Sequence, residues 1–171
     1  AGLAGAEREL NALFNPRKGE CELRFDDEYF YIYKARLRSK TVIGNGRNSE
    51  ILNILFVCSK PFIYGPQQYY CTKSTATLQN RGSQTTPVKL TIIGPAIFPV
   101  IRMADNLIIV NTTLRTSSDI FVVDSEKQEI TLNGAPAAHL AEGDFLRLSP
   151  GEVEINISSG TMEIEFSEMW L

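Results

Sequence analysis

The chain is 171 residues long, 43% apolar and 22% charged, with a formal net charge of -3. That length fits one large domain or two small ones and can bury a core without disulfides, while the weak negative charge provides no general attraction to nucleic acid. No run approaches the ~18 apolar residues of a membrane-crossing helix, and the opening AGLAG has neither the basic region nor the apolar core of a secretory signal.

Charge is unevenly placed: 14 Lys and Arg stand against 8 acidic residues up to Arg102, and 3 against 12 from Met103 onward. Solvated strand faces account for such an asymmetry. Leu3, Ala6, Leu10 and Leu13 recur at helical spacing and predict a short amphipathic helix that needs tertiary contacts to persist. Asn15-Pro16 ends it, because proline lacks the N–H and its ring obstructs continuation. The missing initiator Met, and a first strand that comes only after a bare helix, read as a fragment of a longer protein.

CELRF (21–25) alternates in the strand sense, DDE (26–28) turns, and YFYIYKARLR (29–38) answers as a longer strand. Tyr29, Tyr31, Tyr33, Ala35 and Leu37 share one face of it, and Phe30, Ile32, Lys34, Arg36 and Arg38 the other. Bases interleaved with aromatics would suit single-stranded nucleic acid. Here the two types mostly separate, so core or subunit contact is the better reading. GNG (44–46) reads as a turn, or as the tip of a loop over 40–48. It lacks the glycine spacing and the following helix of a phosphate loop. ILNILFVCS (51–59) is apolar on both faces, predicting a central strand or one sealed at an interface, which Pro61 should stop. FIYGPQQYYC (62–71) holds three tyrosines, suited to a protein contact or to a packed linker. The domain boundary falls there, giving 1–75 and 76–171.

Beyond it lie ATLQN, a polar bend at 82–87, VKLTIIG and AIFPVIRM, where Pro99 argues for an edge or a bulge. Short apolar runs follow: LIIV (107–110), IFVV (120–123), EITL (129–132) and FLRL (145–148), then EVEINI (152–157) and MEIEF (162–166). Turn signals separate them, and the spacing predicts an all-β sandwich or barrel. In the last two runs Val153, Ile155, Ile157, Ile164 and Phe166 point one way, and Glu152, Glu154, Asn156, Glu163 and Glu165 the other. Read as a hairpin, these acids form a solvated face that discourages edge pairing rather than a calcium site, which would need a dedicated loop. Trp170, near the end, is expected to be buried.

Candidate chemistry is sparse. Cys21, Cys58 and Cys71 are odd in number with no CxxC pair, predicting buried free thiols. His139 is the one imidazole and has no positioned partner, although Glu142 and Asp144 are near in sequence. No GxSxG elbow appears. A glycosidase would need two facing carboxylates, which sequence does not single out. No catalytic residue, cofactor or metal site is assigned.

Several stretches together, 12–25, 54–65, 79–94 and the late pattern DSEKQEITLNG followed by FLRLSPGEVEI, resemble the distal tail proteins of long, non-contractile-tailed bacteriophages and prophages. The resemblance implies a mainly β chain. Its galectin-like, jelly-roll sandwich would follow part of a small α+β domain that assembles six-fold into a ring around the tail channel. It also implies a non-enzymatic hub joining the tail tube to the tip, baseplate or host-adsorption apparatus. The expected partners are other copies of itself, the tail tube protein, a tip or tail-associated protein and a receptor-binding protein. Nucleic-acid sequence recognition and membrane insertion are not expected. The location would be the virion tail tip, after synthesis in the host cytoplasm. By this resemblance 12–65 is the latter part of the ring domain, its opening strands preceding Ala1. Ile51, Ile54, Phe56, Tyr64, Tyr69 and Tyr70 are the expected contact residues. A carbohydrate-binding module for host saccharide ranks second and a glycoside hydrolase third.

Overall fold

The computed structural model describes residues 12, 15, 17, 19–46 and 49–171, with side chains left aside at 42–46 and 49–52. The expected helix over 3–13 lies outside these residues, Ala12 excepted. The chain divides into two compact units, 1–63 and 64–171.

In unit 1, β1 (Cys21–Leu23) pairs antiparallel with β2 (Ile32–Gly46), setting Cys21 opposite Ala35 and Leu23 opposite Tyr33. Asp26–Glu28 forms a 3-10 turn. Strand begins only at Ile32, so Tyr29–Tyr31 belong to the loop after that turn rather than to a strand face. The Tyr31 N–H donates to the Glu28 carbonyl at 2.9 Å, closing the chain on itself and removing it from any ladder. Gly44–Gly46 is strand, not a turn; β3 (Ser49–Thr72) starts three residues after Gly46. Nor does Pro61 stop β3, which continues to Thr72 and thus into unit 2. An extended backbone accommodates the fixed φ of proline and loses only one donor, and Pro61 is exposed.

Unit 2 is a sandwich of two antiparallel sheets. The first runs β17 (Thr161–Trp170), β6 (Lys89–Ile93), β11 (Ile120–Asp124), β12 (Glu129–Leu132), β13 (Ala135–Pro136), with β3 beside β17. The second runs β14 (Ala141–Gly143), β9 (Asn106–Val110), β8 (Val100–Met103), β16 (Gly151–Ile157), β4 (Thr75–Asn80). Two short pairs complete it: β7 (Ala96–Ile97) with β10 (Thr113–Leu114), and β5 (Thr86–Pro87) with β15 (Arg147–Leu148). Pro99 falls between β7 and β8, beside Phe98 at φ 41.

Register puts the alternating apolar residues in rows. Val123, Leu90 and Ile164 align across the first sheet, as do Phe121, Ile92 and Met162. Ile108, Ile101 and Ile157 align across the second. All nine are buried in one core with Leu78, Leu146, Leu148, Ile155 and Phe166. Each such side chain contributes about 1.5–3 kcal/mol relative to exposure, so this core holds the sandwich together.

The final pair of runs is not a hairpin. β16 pairs with β4 and β8 in one sheet, and β17 pairs with β6 in the other. The chain crosses between sheets at Ser158–Ser159–Gly160, so both apolar sides face the shared core. Glu152 and Glu154 therefore lie on one outer face, Glu163 and Glu165 on the opposite one. Trp170 is half-buried rather than buried; its ring lies over Gly65, where an added Cβ would come within 2.8 Å. The three cysteines are free and exposed, not buried. They occupy strand faces that the chain leaves uncovered, and the Cys21 thiol donates to the Ala35 carbonyl at 3.1 Å.

A buried polar knot ties the end of β4 to the rest of unit 2. Asn80, 1% exposed, donates from Nδ2 to the carbonyls of Gln84 and Leu148 at 3.0 and 3.1 Å. Its Oδ1 accepts the Gly82 N–H at 3.0 Å. Beside it, buried Glu168 accepts the Arg81 N–H at 2.9 Å.

Candidate functional site

The expected contact residues all sit on β3. The Ile51 side chain lies outside the described residues. Ile54 and Phe56, two apart, share one strand face and are half-buried. Between them Leu55 points to the other face and is 48% exposed. Tyr64 is buried, and Tyr70 is half-buried and stacks on Phe166 with centroids 5.9 Å apart and rings 8° from parallel. Tyr69 stands 67% exposed. Within unit 2, then, neighbouring tyrosines divide between the core and the surface, as strand alternation requires.

Sequence reasoning placed Tyr29, Phe30 and Tyr31 on strand faces, as core or subunit contact, and missed their exposed clustering around a turn. Phe25, Tyr29, Phe30 and Tyr31 surround the Asp26–Glu28 turn, with Tyr29 63% and Phe30 73% exposed. The strand-like alternation of 29–33 masked this cluster. The Tyr33 hydroxyl donates to Glu28 at 2.7 Å, and this bond, with burial and the charges of Glu28 and Asp27, raises the Tyr33 pKa above its ordinary value. A second exposed pair, Ile97 and Phe98, is held by Ser159, whose hydroxyl accepts the Ile97 N–H and donates to the Ile97 carbonyl.

His139 is exposed on the 3-10 turn Ala138–Leu140. Glu142 accepts a hydrogen bond from Asn111 at 2.7 Å. Glu142 and Asp144 line a recess of ≈ 20 Å³ with Ile108, Val123, Ile130 and Phe145, room for one water at most. A larger open groove of ≈ 370 Å³ on the second sheet is lined by Arg102, Ala104, Glu152, Val153, Glu154 and Asn156. Its two carboxylates project side by side from one strand, so they do not face each other across a bond to be cleaved. Among the described residues no group of three His, Cys, Asp or Glu is placed to hold a metal ion. Nor is any helix among them long and apolar enough to cross a membrane.

The outer face of the first sheet carries a charged row. Lys89 Nζ lies 2.8 Å from Glu165, which also accepts from Gln67 at 2.7 Å. The hydrogen bond to Glu165 raises the Lys89 pKa. At the sheet's end, Asp119 accepts the N–H groups of Arg115 and Thr116 at 2.8 Å and the Asn133 amide at 3.3 Å. Led by the Thr116 bond, these hold its carboxyl below the usual value.

Two facing antiparallel sheets around one core, presenting exposed surfaces and an open groove, define a mainly β sandwich protein. Residues 81–170, just over half of the chain, match the model of the siphovirus-type tail component, C-terminal domain. The chain belongs to that family, and is a tail component of siphovirus-type phages. Its fold is similar to the crystal structure of the SPP1 Dit (gp 19.1) protein, described as a paradigm of the hub adsorption apparatus in phages infecting Gram-positive hosts. The TM-score is 0.80 at 18% identity, covering 99% of this chain and 72% of that one. No curated protein matches the chain in sequence.

Proposed function

We propose that the protein is a structural hub of the phage tail that connects the tail tube to the tip or host-adsorption apparatus. The observation that carries this reading is the family match over the sandwich together with a fold shared, across nearly the whole chain, with a hub protein. On this reading 1–75 is the latter part of a ring-forming domain and 76–171 a galectin-like sandwich projecting from it. The ring has six copies. Partners are the tail tube protein, a tip or tail-associated protein and a receptor-binding protein, and no reaction is catalysed. The chain is made in the host cytoplasm and ends in the virion.

A saccharide-binding role draws less support. Stacking on a sugar needs an exposed aromatic beside polar groups, yet the residues lining the open groove include none, and Trp170 is engaged with Gly65. The test of the hub reading is immunogold labelling of purified virions with antibodies raised against 76–171. Gold clustered where the tube meets the tip is the expected result. Label along the whole tube, or at the head, would overturn it.

A further inference from the structure

Unit 1 carries two exposed surfaces of opposite character. One is the acidic, aromatic loop from Phe25 to Tyr31. Its base is pinned: the Glu28 N–H donates to the Phe25 carbonyl at 3.1 Å, the Tyr33 hydroxyl to Glu28 at 2.7 Å, and Phe25 packs edge-on against Tyr33 at 5.5 Å. Arg24 lies 5.9 Å over the Tyr29 ring. Tyr29, Phe30, Asp26 and Asp27 remain outward, and the two aspartates make no ion pair among the described residues. The other surface is the face of β2 that carries Lys34, Arg36, Arg38 and Lys40 at alternate positions, with Arg36 and Arg38 exposed. Both loop anchors hold Tyr33, which shares its face with Ala35 and Leu37. The four bases project from the opposite face. The loop is thus anchored through Tyr33 on one side of β2, while Arg36 and Arg38 stand exposed on the other; Arg24, paired with Glu22 opposite Lys34, already satisfies the acid nearest that basic face.

We propose that the acidic aromatic loop of one copy docks on the basic β2 face of a second copy of this chain. Phe30 packs on the aliphatic stems of the basic side chains with Tyr29 set edge-on to it, and Asp26 and Asp27 pair with Arg36 and Arg38. Because the two surfaces differ, the contact is head-to-tail and repeats until it closes. The inference rests on the ring reading and gives that ring its contact.

Light scattering on the full chain over a range of concentrations provides the test. Reversing the loop (Asp26→Lys with Asp27→Lys) or the strand face (Arg36→Glu with Arg38→Glu) should each raise the concentration needed for assembly about tenfold or more. An equimolar mixture of the two variants should restore assembly, since each loop then meets a strand face of opposite sign. Tyr29→Ser with Phe30→Ser should weaken assembly at low salt and equally at high salt, where charges are screened. The restored mixture shows that both reversed chains are folded. Wild-type chain that stays monomeric overturns the contact and the stand-alone ring together. Wild-type rings with both reversed variants assembling normally overturn the contact alone, as does a mixture that stays monomeric while circular dichroism shows each variant folded.

Discussion

Replacing Asn80 with Ala should cost the sandwich about 3 kcal/mol. The side chain makes three hydrogen bonds inside the core, to Gln84, Leu148 and Gly82, each worth about 1 kcal/mol net. Its removal also strands backbone groups that the fold has withdrawn from water, so the loss should not fall below that sum. In a unit of this size about 3 kcal/mol corresponds to a fall in Tm of roughly 10–15 °C. Trp170 is the single tryptophan and belongs to this unit, so urea unfolding followed by its fluorescence reads the loss directly. Asn80→Asp sharpens the test. Aspartate keeps the acceptor for Gly82 but turns an oxygen toward two carbonyls, which raises its folded pKa above the unfolded ~3.9. A carboxyl of that kind stabilises below the unfolded pKa and loses the contribution as pH rises through the folded one. Asn80→Asp should therefore recover stability relative to wild type between pH 7 and pH 4, whereas Asn80→Ala should not. A loss under about 1 kcal/mol for the alanine variant, or parallel pH profiles for the two, would refute the knot as a buried pin.

Three further outcomes follow from the same geometry. Phe121→Ala, emptying a fully buried position in the row with Ile92 and Met162, should cost about 3–5 kcal/mol in urea unfolding. Gly65→Ala places a methyl within 2.8 Å of the Trp170 ring, so it should shift the emission maximum of Trp170 and destabilise by about 1–2 kcal/mol; an unchanged spectrum would contradict the described packing. The raised pKa of Lys89, caused first by its bond to Glu165, gives stability present in full below the unfolded value of about 10.4 and lost as pH rises through the folded one. The pair is partly exposed, so the effect should be only about 0.5 kcal/mol, visible as a steeper alkaline decline in wild type than in Glu165→Gln.

Most strands of the sandwich were legible because period-two alternation survives in runs such as Lys89–Ile93 and Gly151–Ile157. Alternation tells which side of a strand is apolar, but not which sheet the strand joins. β16 and β17 show the same pattern whether they pair with each other or cover the core from opposite sides, and only the crossing at Ser158–Gly160 decides. Pro61 misled for a related reason: it forbids a donor, not an extended backbone. Tyr29–Tyr31 show the converse, since a pattern right for a strand was overruled by a local bond from Tyr31 to Glu28. The exposed cysteines were misread because thiols are usually buried, and strand faces left open by a single chain carry no mark in composition. The sequence shows the tyrosines of 62–71 together, but their division between Phe166 and solvent depends on which residue of β3 points inward.

The long-range pairing of the sandwich also bears on how it is synthesised. β4 and β6 find their partners in β16 and β17, some seventy residues later. Closing loops of that length makes such topologies slow to fold. While the chain is being made, the first strands of the sandwich must wait with unpaired edges for the last ones to arrive, a period in which neighbouring copies can pair wrongly. Production of the protein should therefore be more sensitive to temperature and expression rate than the finished sandwich is to heat.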